Sequence, residues 1–146
     1  METLKYQVEI EAPAEKVWDV LWNGRTYSQW THYFSPGSIM KTDWEVGGKT
    51  YFTEATGQNG MVSTIERIEE PKLLVFKHLG ELKNGVEDIN SDQVKDWNGS
   101  LEAYHLEENE GKTTLKVEVD VDISYKEMMD NGFNKGLEVV KQLSEK

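Results

Sequence analysis

Apolar and polar residues alternate at the start of the chain, with Leu4, Tyr6, Val8 and Ile10 set against Lys5, Gln7, Glu9 and Glu11. A period of two with one apolar face predicts a strand half-buried on a core. Ala12-Pro13 breaks the alternation, after which Val17, Val20 and Leu21 recur at helical spacing up to Trp22. Pro13 suits a helix's first turn, where its missing N–H costs nothing. After Asn23-Gly24 a second short helix is predicted over 27–34, and Ser35-Pro36-Gly37 is a turn signal that ends it.

The middle of the chain predicts a string of antiparallel strands at 38–42, 49–55, 61–68 and 73–79. Gly47-Gly48, Gly57-Gln58-Asn59-Gly60 and Glu69-Glu70-Pro71-Lys72 separate them, as short meander connections require. Residues 80–98 are acidic and only partly periodic. Ser91 is the expected cap of a single turn there, with Val94 and Trp97 sharing a face at three-residue spacing. Two long strands follow at 100–106 and 113–121. In the second, Leu115, Val117, Val119 and Val121 oppose Thr114, Lys116, Glu118, Asp120 and Asp122. Ser124-Tyr125-Lys126-Glu127 reads as a capping box opening a helix that should run to about Ser144. One face of that helix holds Tyr125, Met128 or Met129, Gly132, Gly136, Val140 and Leu143, flanked by Phe133 and Leu137.

The order is strand, two short helices, a long meander and a long amphipathic helix, an α+β pattern in one domain spanning 1–146. A one-sided meander needs a cover for its apolar face, and the C-terminal helix is the only element long enough. A curved antiparallel sheet wrapped around that helix follows from packing alone.

Charge and composition narrow the function. With 27 acidic against 16 basic residues the net charge is −11, a field that repels phosphate backbones and anionic lipid. Nucleic acid is therefore not an expected partner, whereas a basic protein is compatible with this field. No apolar run is long enough to span a bilayer, and the charged N-terminus does not read as a signal peptide. The absence of cysteine removes thiol catalysis, thiolate metal sites and disulfides, and fits a cytoplasmic setting.

Several segments together resemble the helix-grip (START/Bet v 1-like) superfamily, in its Activator of Hsp90 ATPase homologue 1-like branch. They are Ala12-Pro13-x-Glu15-x-Val17-Trp18, Trp30-x-x-x-Phe34, Trp44-x-x-Gly47-Gly48-Lys49, Glu70-Pro71-x-x-Leu74 and Thr114-Leu115-x-Val117, in family order across nearly the whole chain. The resemblance implies a helix-grip fold with a cavity between sheet and terminal helix. Relatives in the superfamily bind lipids, sterols, hormones or polyketides. Members of this branch activate Hsp90 with the help of a further N-terminal domain, which is not expected here.

The candidate site is the face between helix and sheet. A ligand pocket is expected there, lined by some of Trp30, Trp44, Phe52, Phe76, His78, Tyr104, Met129 and Phe133. A register slip of one residue would turn Phe52 and Phe76 outward. Gly132 and Gly136 each cost about 1 kcal/mol relative to Ala inside a helix. They leave room either for a ligand or for close backbone packing. A dry cavity of ~300 Å³ at ~24 cal/mol per Å³ would cost roughly 7 kcal/mol, comparable with a whole domain's stability. Water, ligand or aromatic rings must therefore occupy much of it.

His32, His78 and His105 lack metal spacing, although His78 and His105 fall on strands expected to be neighbours. Glu87, Asp88 and Asp92 lack the ligand order of a calcium loop and read as a solvated lobe. No nucleophile elbow or phosphate loop is present, and Gly47-Gly48-Lys49 reads as a hairpin turn. The favoured reading is a protein that binds or senses a small apolar molecule or lipid, with no cofactor. A chaperone-activator-like interaction module is the alternative. A cyclase- or hydrolase-like enzyme, with His78, His105 and Tyr104 as its candidate groups, is the third.

Overall fold

The computed structural model describes residues 1–146. Strand β1 (Glu2–Ile10) leads into α1 (Ala14–Trp22) and α2 (Gly24–Trp30), the latter continued by a 3-10 turn at Thr31–Tyr33. The strands β2 (Ile39–Thr42), β3 (Thr50–Thr53), β4 (Gly60–Glu69), β5 (Leu73–Lys83) and β6 (Val86–Asp88) follow. After the single turn α3 (Asp92–Lys95) come β7 (Leu101–Asn109), β8 (Lys112–Val121) and the terminal helix α4 (Lys126–Ser144). All eight strands form one antiparallel sheet in the order β1-β8-β7-β5-β4-β3-β2, with β6 paired to β5. No helix is long and apolar enough to cross a membrane.

Local chemistry explains where the elements begin. Pro13 precedes α1, and the Ala14 amide donates to the Glu108 carboxylate at 2.6 Å, so β7 satisfies one free N–H of the helix. Val17 and Leu21 are fully buried by this helix, each contributing on the order of 2 kcal/mol. Asn23 caps α2 by accepting from the Arg25 amide. The Asn84-Gly85 and Glu110-Gly111 pairs both take positive φ and close the β5–β6 and β7–β8 hairpins. Curvature comes from β4 and β5, where Leu79 is extra between the pairs Val62/Gly80 and Ser63/His78. Glu66 is likewise extra between Ile65/Phe76 and Arg67/Val75. The Asn98 side chain donates to the Leu79 carbonyl at 2.6 Å, satisfying a group the first bulge takes out of the ladder.

Two expectations change. Ser124 does not open α4: the Asp122 carboxylate accepts from the Ser124 amide at 2.9 Å and sets a 3-10 turn over Ile123–Tyr125, from which α4 starts. A carboxylate is a stronger acceptor than a hydroxyl for free amides, and those bonds hold the Asp122 pKa below its usual value. Ser91 stands at the start of α3 with extended backbone, but its hydroxyl makes no cap bond; its amide donates to Asp88 instead. Glu87 and Asp92 face solvent, as a solvated lobe should, and one of the two is also tied to the sheet. Glu87 accepts from Lys49 and Tyr51, each at 2.6 Å, which clamps β6 against β3.

The terminal helix is buried unevenly. Phe133, Leu137 and Val140 are buried, whereas Lys126, Glu127 and Met128 in its first turn are exposed. Its C-terminal end is tied down from below: Lys141 donates to the Glu9 carbonyl at 3.0 Å and Glu145 accepts from the Glu11 amide at 2.9 Å. The two glycines face α2 and the turn after it. A methyl group at Gly132 would overlap the Phe34 ring, and one at Gly136 would stand 2.6 Å from the Trp30 carbonyl oxygen. The close-packing alternative therefore describes both glycines, with helix against helix rather than helix against sheet.

A difference between the two substitutions follows. Phe34 can swing its ring, but the Trp30 backbone cannot move alone, so Gly136→Ala should lower stability by about 1–3 kcal/mol despite better helix propensity. Gly132→Ala should cost clearly less. Urea denaturation midpoints of the two variants measure the ordering, and equal costs would contradict it.

Candidate functional site

Because the first turns of α4 stand away from the sheet, an open space remains beneath them. It has two lobes, of about 280 and 500 Å³, that share Gly60, Met61, His78, Glu102, Met128 and Met129 in their walls. The larger lobe runs under α2 and is walled by Trp22, Trp30, Phe52, Tyr104 and Phe133 among others. The smaller lobe opens beside the end of β8 and the start of α4, with Trp97 and Tyr125 in its walls.

Trp22 is the hub of the aromatic wall. Its ring lies 4.8 Å from Tyr104 and 5.6 Å from Phe76 between centroids, edge-on to both. Trp30 stands 6.4 Å away, and its indole donates to the Leu21 carbonyl at 3.0 Å. The Trp22 indole N–H is buried with no acceptor in the protein. Such a group costs about 1–3 kcal/mol unless something else meets it.

The polar centre of the cavity is a chain of four side chains. Ser63 Oγ lies 2.7 Å from His78 Nδ1, and His78 Nε2 lies 3.1 Å from Glu102 Oε1. The Tyr104 hydroxyl donates to the other oxygen of Glu102. One assignment satisfies every atom: His78 donates from Nε2 to the carboxylate and accepts at Nδ1 from the Ser63 hydroxyl. Ser63 is fully buried behind the histidine, so it holds the ring and is not an accessible nucleophile. The bulge at Leu79 brings Ser63 and His78 into register. On β7, His78's partner Glu102 shares a sheet face with Tyr104 and Leu106.

The expected site residues divide. Trp30, Phe52, His78, Tyr104, Met129 and Phe133 line the cavity. Phe76 does not: it is fully buried behind the wall, packed on Trp22, Phe52 and Tyr104. Trp44 is far from it, 41% exposed in the β2–β3 loop with φ of 62°. The short β2 ends before Trp44, so the alternation that would have pointed it inward never reaches it. Gly132 and Gly136 lie against Phe34 and Trp30 and leave no space for a ligand. His105 pairs with Leu73 at the far end of β5, so the two strand histidines do not meet. No group of three or more His, Asp or Glu is placed to hold a metal ion.

Sequence reasoning missed Trp22 and Glu102. Trp22 was assigned only to its helix. Glu102 carried a legible signal, since period two puts an acidic side chain on the same face as Tyr104 and Leu106, where charge is rare without a partner.

The electrostatics of this centre reach the tyrosines. Burial first, and then the charge of Glu102, push the Tyr27 and Tyr104 pKa values far above the usual tyrosine range. Unfolded tyrosine ionises near pH 10, so above that pH the unfolded chain loses protons that the folded chain keeps. The stabilisation is fully present below about pH 10 and declines as pH rises beyond it, by up to about 1.4 kcal/mol per pH unit for each tyrosine. Urea midpoints followed from about pH 8 to about pH 11 should show this fall, and Tyr104→Phe should make it shallower. A flat profile would show that neither ring is held neutral.

Comparison with known proteins agrees with this architecture. A family model described as "Activator of Hsp90 ATPase homolog 1-like protein" matches residues 11–145. Among solved structures, the Aha1 dimer from Colwellia psychrerythraea is 16% identical with a TM-score of 0.73, covering 99% of this chain and 97% of that chain. A protein from Arthrobacter aurescens is 20% identical with a TM-score of 0.69, covering 97% and 85%. CalU16 from Micromonospora echinospora is 17% identical with a TM-score of 0.66, covering 97% and 75%. At these identities the likeness shows the fold. No curated protein sequence matches the chain.

Proposed function

Because the chain belongs to the Activator of Hsp90 ATPase homolog 1-like family, we propose that it uses the helix-grip cavity of that fold to bind a small apolar molecule. The observation that carries this reading is the cavity's composition. Aromatic and Met side chains converge on it together with a few fixed polar groups, His78, Glu102 and Tyr104. Ligand sites combine these features, an apolar wall for affinity and few polar groups for orientation, in volumes from ~300 Å³ upward. The larger lobe, at about 500 Å³, falls in that range, and the smaller adds about 280 Å³ beside it. Exposed Met128 and half-buried Met129 stand over the opening on the weakly anchored turns of α4. Flexible thioether side chains suit a mouth that admits guests of differing shape.

A second reading is favoured by one observation: the imidazole of His78 is fixed at both nitrogens between Ser63 and Glu102 at the cavity wall. That arrangement suits proton transfer to a bound molecule, with His78 as the general base or acid and Glu102 orienting it.

Native mass spectrometry and a thermal-shift screen over chemically diverse apolar molecules test the first reading. A retained mass or a saturable rise in Tm is expected, because a ligand that prefers the folded state stabilises it. Met129→Trp, which fills the wall common to both lobes, should abolish the shift while the far-ultraviolet circular dichroism is unchanged. Absence of any shift across the screen would sink the proposal. Under the second reading wild type releases the bound molecule changed in covalent structure, whereas His78→Asn releases it unchanged. The change is read by NMR as well as by mass, because proton transfer can rearrange a molecule without altering its mass. Release unchanged by both excludes that reading.

A further inference from the structure

Carboxylates outnumber cationic groups around the cavity. Glu54, Glu81, Glu102, Asp120 and Asp122 line its lobes, and no Lys or Arg does. Two groups bear or can bear positive charge at its walls: the imidazole of His78, and the α-amino group of Met1, whose charge acts on Asp122 at the mouth. Asp120 is held by the Thr3 hydroxyl at 2.6 Å and the Leu101 amide at 3.1 Å, neutral donors that leave its charge uncompensated. Glu102 has neutral Tyr104 on one oxygen. Glu81 has no ion pair or side-chain hydrogen bond within the protein. An apolar anion entering here would place its head among like charges in a partly enclosed space, where screening is weaker than in water.

The wall beside the acidic lobe suits the body of such a guest. Trp22, Trp30, Phe52 and Tyr104 present ring surface to the larger lobe, which joins the acidic one at Met61, His78 and Glu102. The rings of Trp97 and Tyr125, in the wall of the acidic lobe, add surfaces on which a cation is attracted to the negative face of an aromatic ring.

We propose that the guest is an apolar cation, an amine or quaternary ammonium compound whose charged head lies in the acidic lobe and whose body lies against the Trp22 wall. This rests on the reading of the cavity as a ligand site and specifies the chemistry it selects. Apolar walls fix the body of the guest and the carboxylates select its sign. Fatty acids and other apolar anions are excluded by the same field.

Three probes of one skeleton test it: naphthyloxyethyl-trimethylammonium, naphthyloxyethanol and naphthyloxyacetate. They share an aromatic body and an ether oxygen and differ in charge. In isothermal titration calorimetry the ammonium should bind at least about tenfold more tightly than the alcohol, with the carboxylate weakest. The ammonium's advantage should shrink with added salt, and should shrink again in Glu81→Gln and in Glu102→Gln. Glu81 is exposed, so its variant keeps the test valid if Glu102→Gln fails to fold. Equal binding of the three probes would overturn the charge selection and leave the cavity reading standing. Preference for the carboxylate would overturn it as well, giving control of the site to His78 and the Met1 amino group. Failure of all three probes to bind the folded wild type would remove both the inference and the reading it rests on.

Discussion

A one-sided curved sheet must have its apolar face covered, and here α4, beside α1 and α2, covers it unevenly. From Phe133 onward α4 is pressed down by Phe133, Leu137 and Val140 and stitched to β1 and the segment after it through Lys141 and Glu145. Gly136 sets how close that part can come, because only a residue without a side chain clears the Trp30 carbonyl. The helix's first turn and a half, up to Asn131, has no buried residue and is held chiefly by the Tyr6 hydroxyl, which donates to Asp130 at 2.6 Å. The wedge between the tight end and the loose end is the cavity. Site and fold thus arise from one packing gradient along one helix.

The gradient also accounts for the division of labour among the aromatic residues. Where helix and sheet are close, rings fill space, as Tyr6 does under Phe133 at 4.8 Å between centroids. Where they diverge, rings become a wall, as Trp22, Trp30 and Tyr104 do. The same residue type therefore serves as core filler or as binding surface according to its distance from the tight end of α4.

Much of this fold was legible in the sequence because its signals are periodic. The alternation over β1 and β8, Pro13 before α1 and the length of α4 each follow from a repeating pattern that burial enforces. The β6 hairpin was missed although Asn84-Gly85 is a strong turn signal, because the acidic residues around it hide the alternation. Site residues were less legible. Phe52, His78 and Tyr104 lie on strands, where parity fixes the facing side, and they do line the cavity. Trp44 lies past the end of its strand, where parity no longer applies. The roles of Gly132 and Gly136 depended on which element reaches them, a tertiary fact that no local pattern holds. Glu102 needed His78 beside it to make sense, and that neighbour is set by a bulge at Leu79.

Trp22 sits edge-on to several rings, close to Trp18 and Trp30, and its side chain borders the cavity. Tryptophans packed this closely share their excitation, and the emission colour of an indole depends on the polarity of what surrounds its ring. The molecule consequently carries its own optical reporter at the one place where occupancy matters. Filling the cavity changes the light given off by the cluster as a whole, and no label need be attached to follow it.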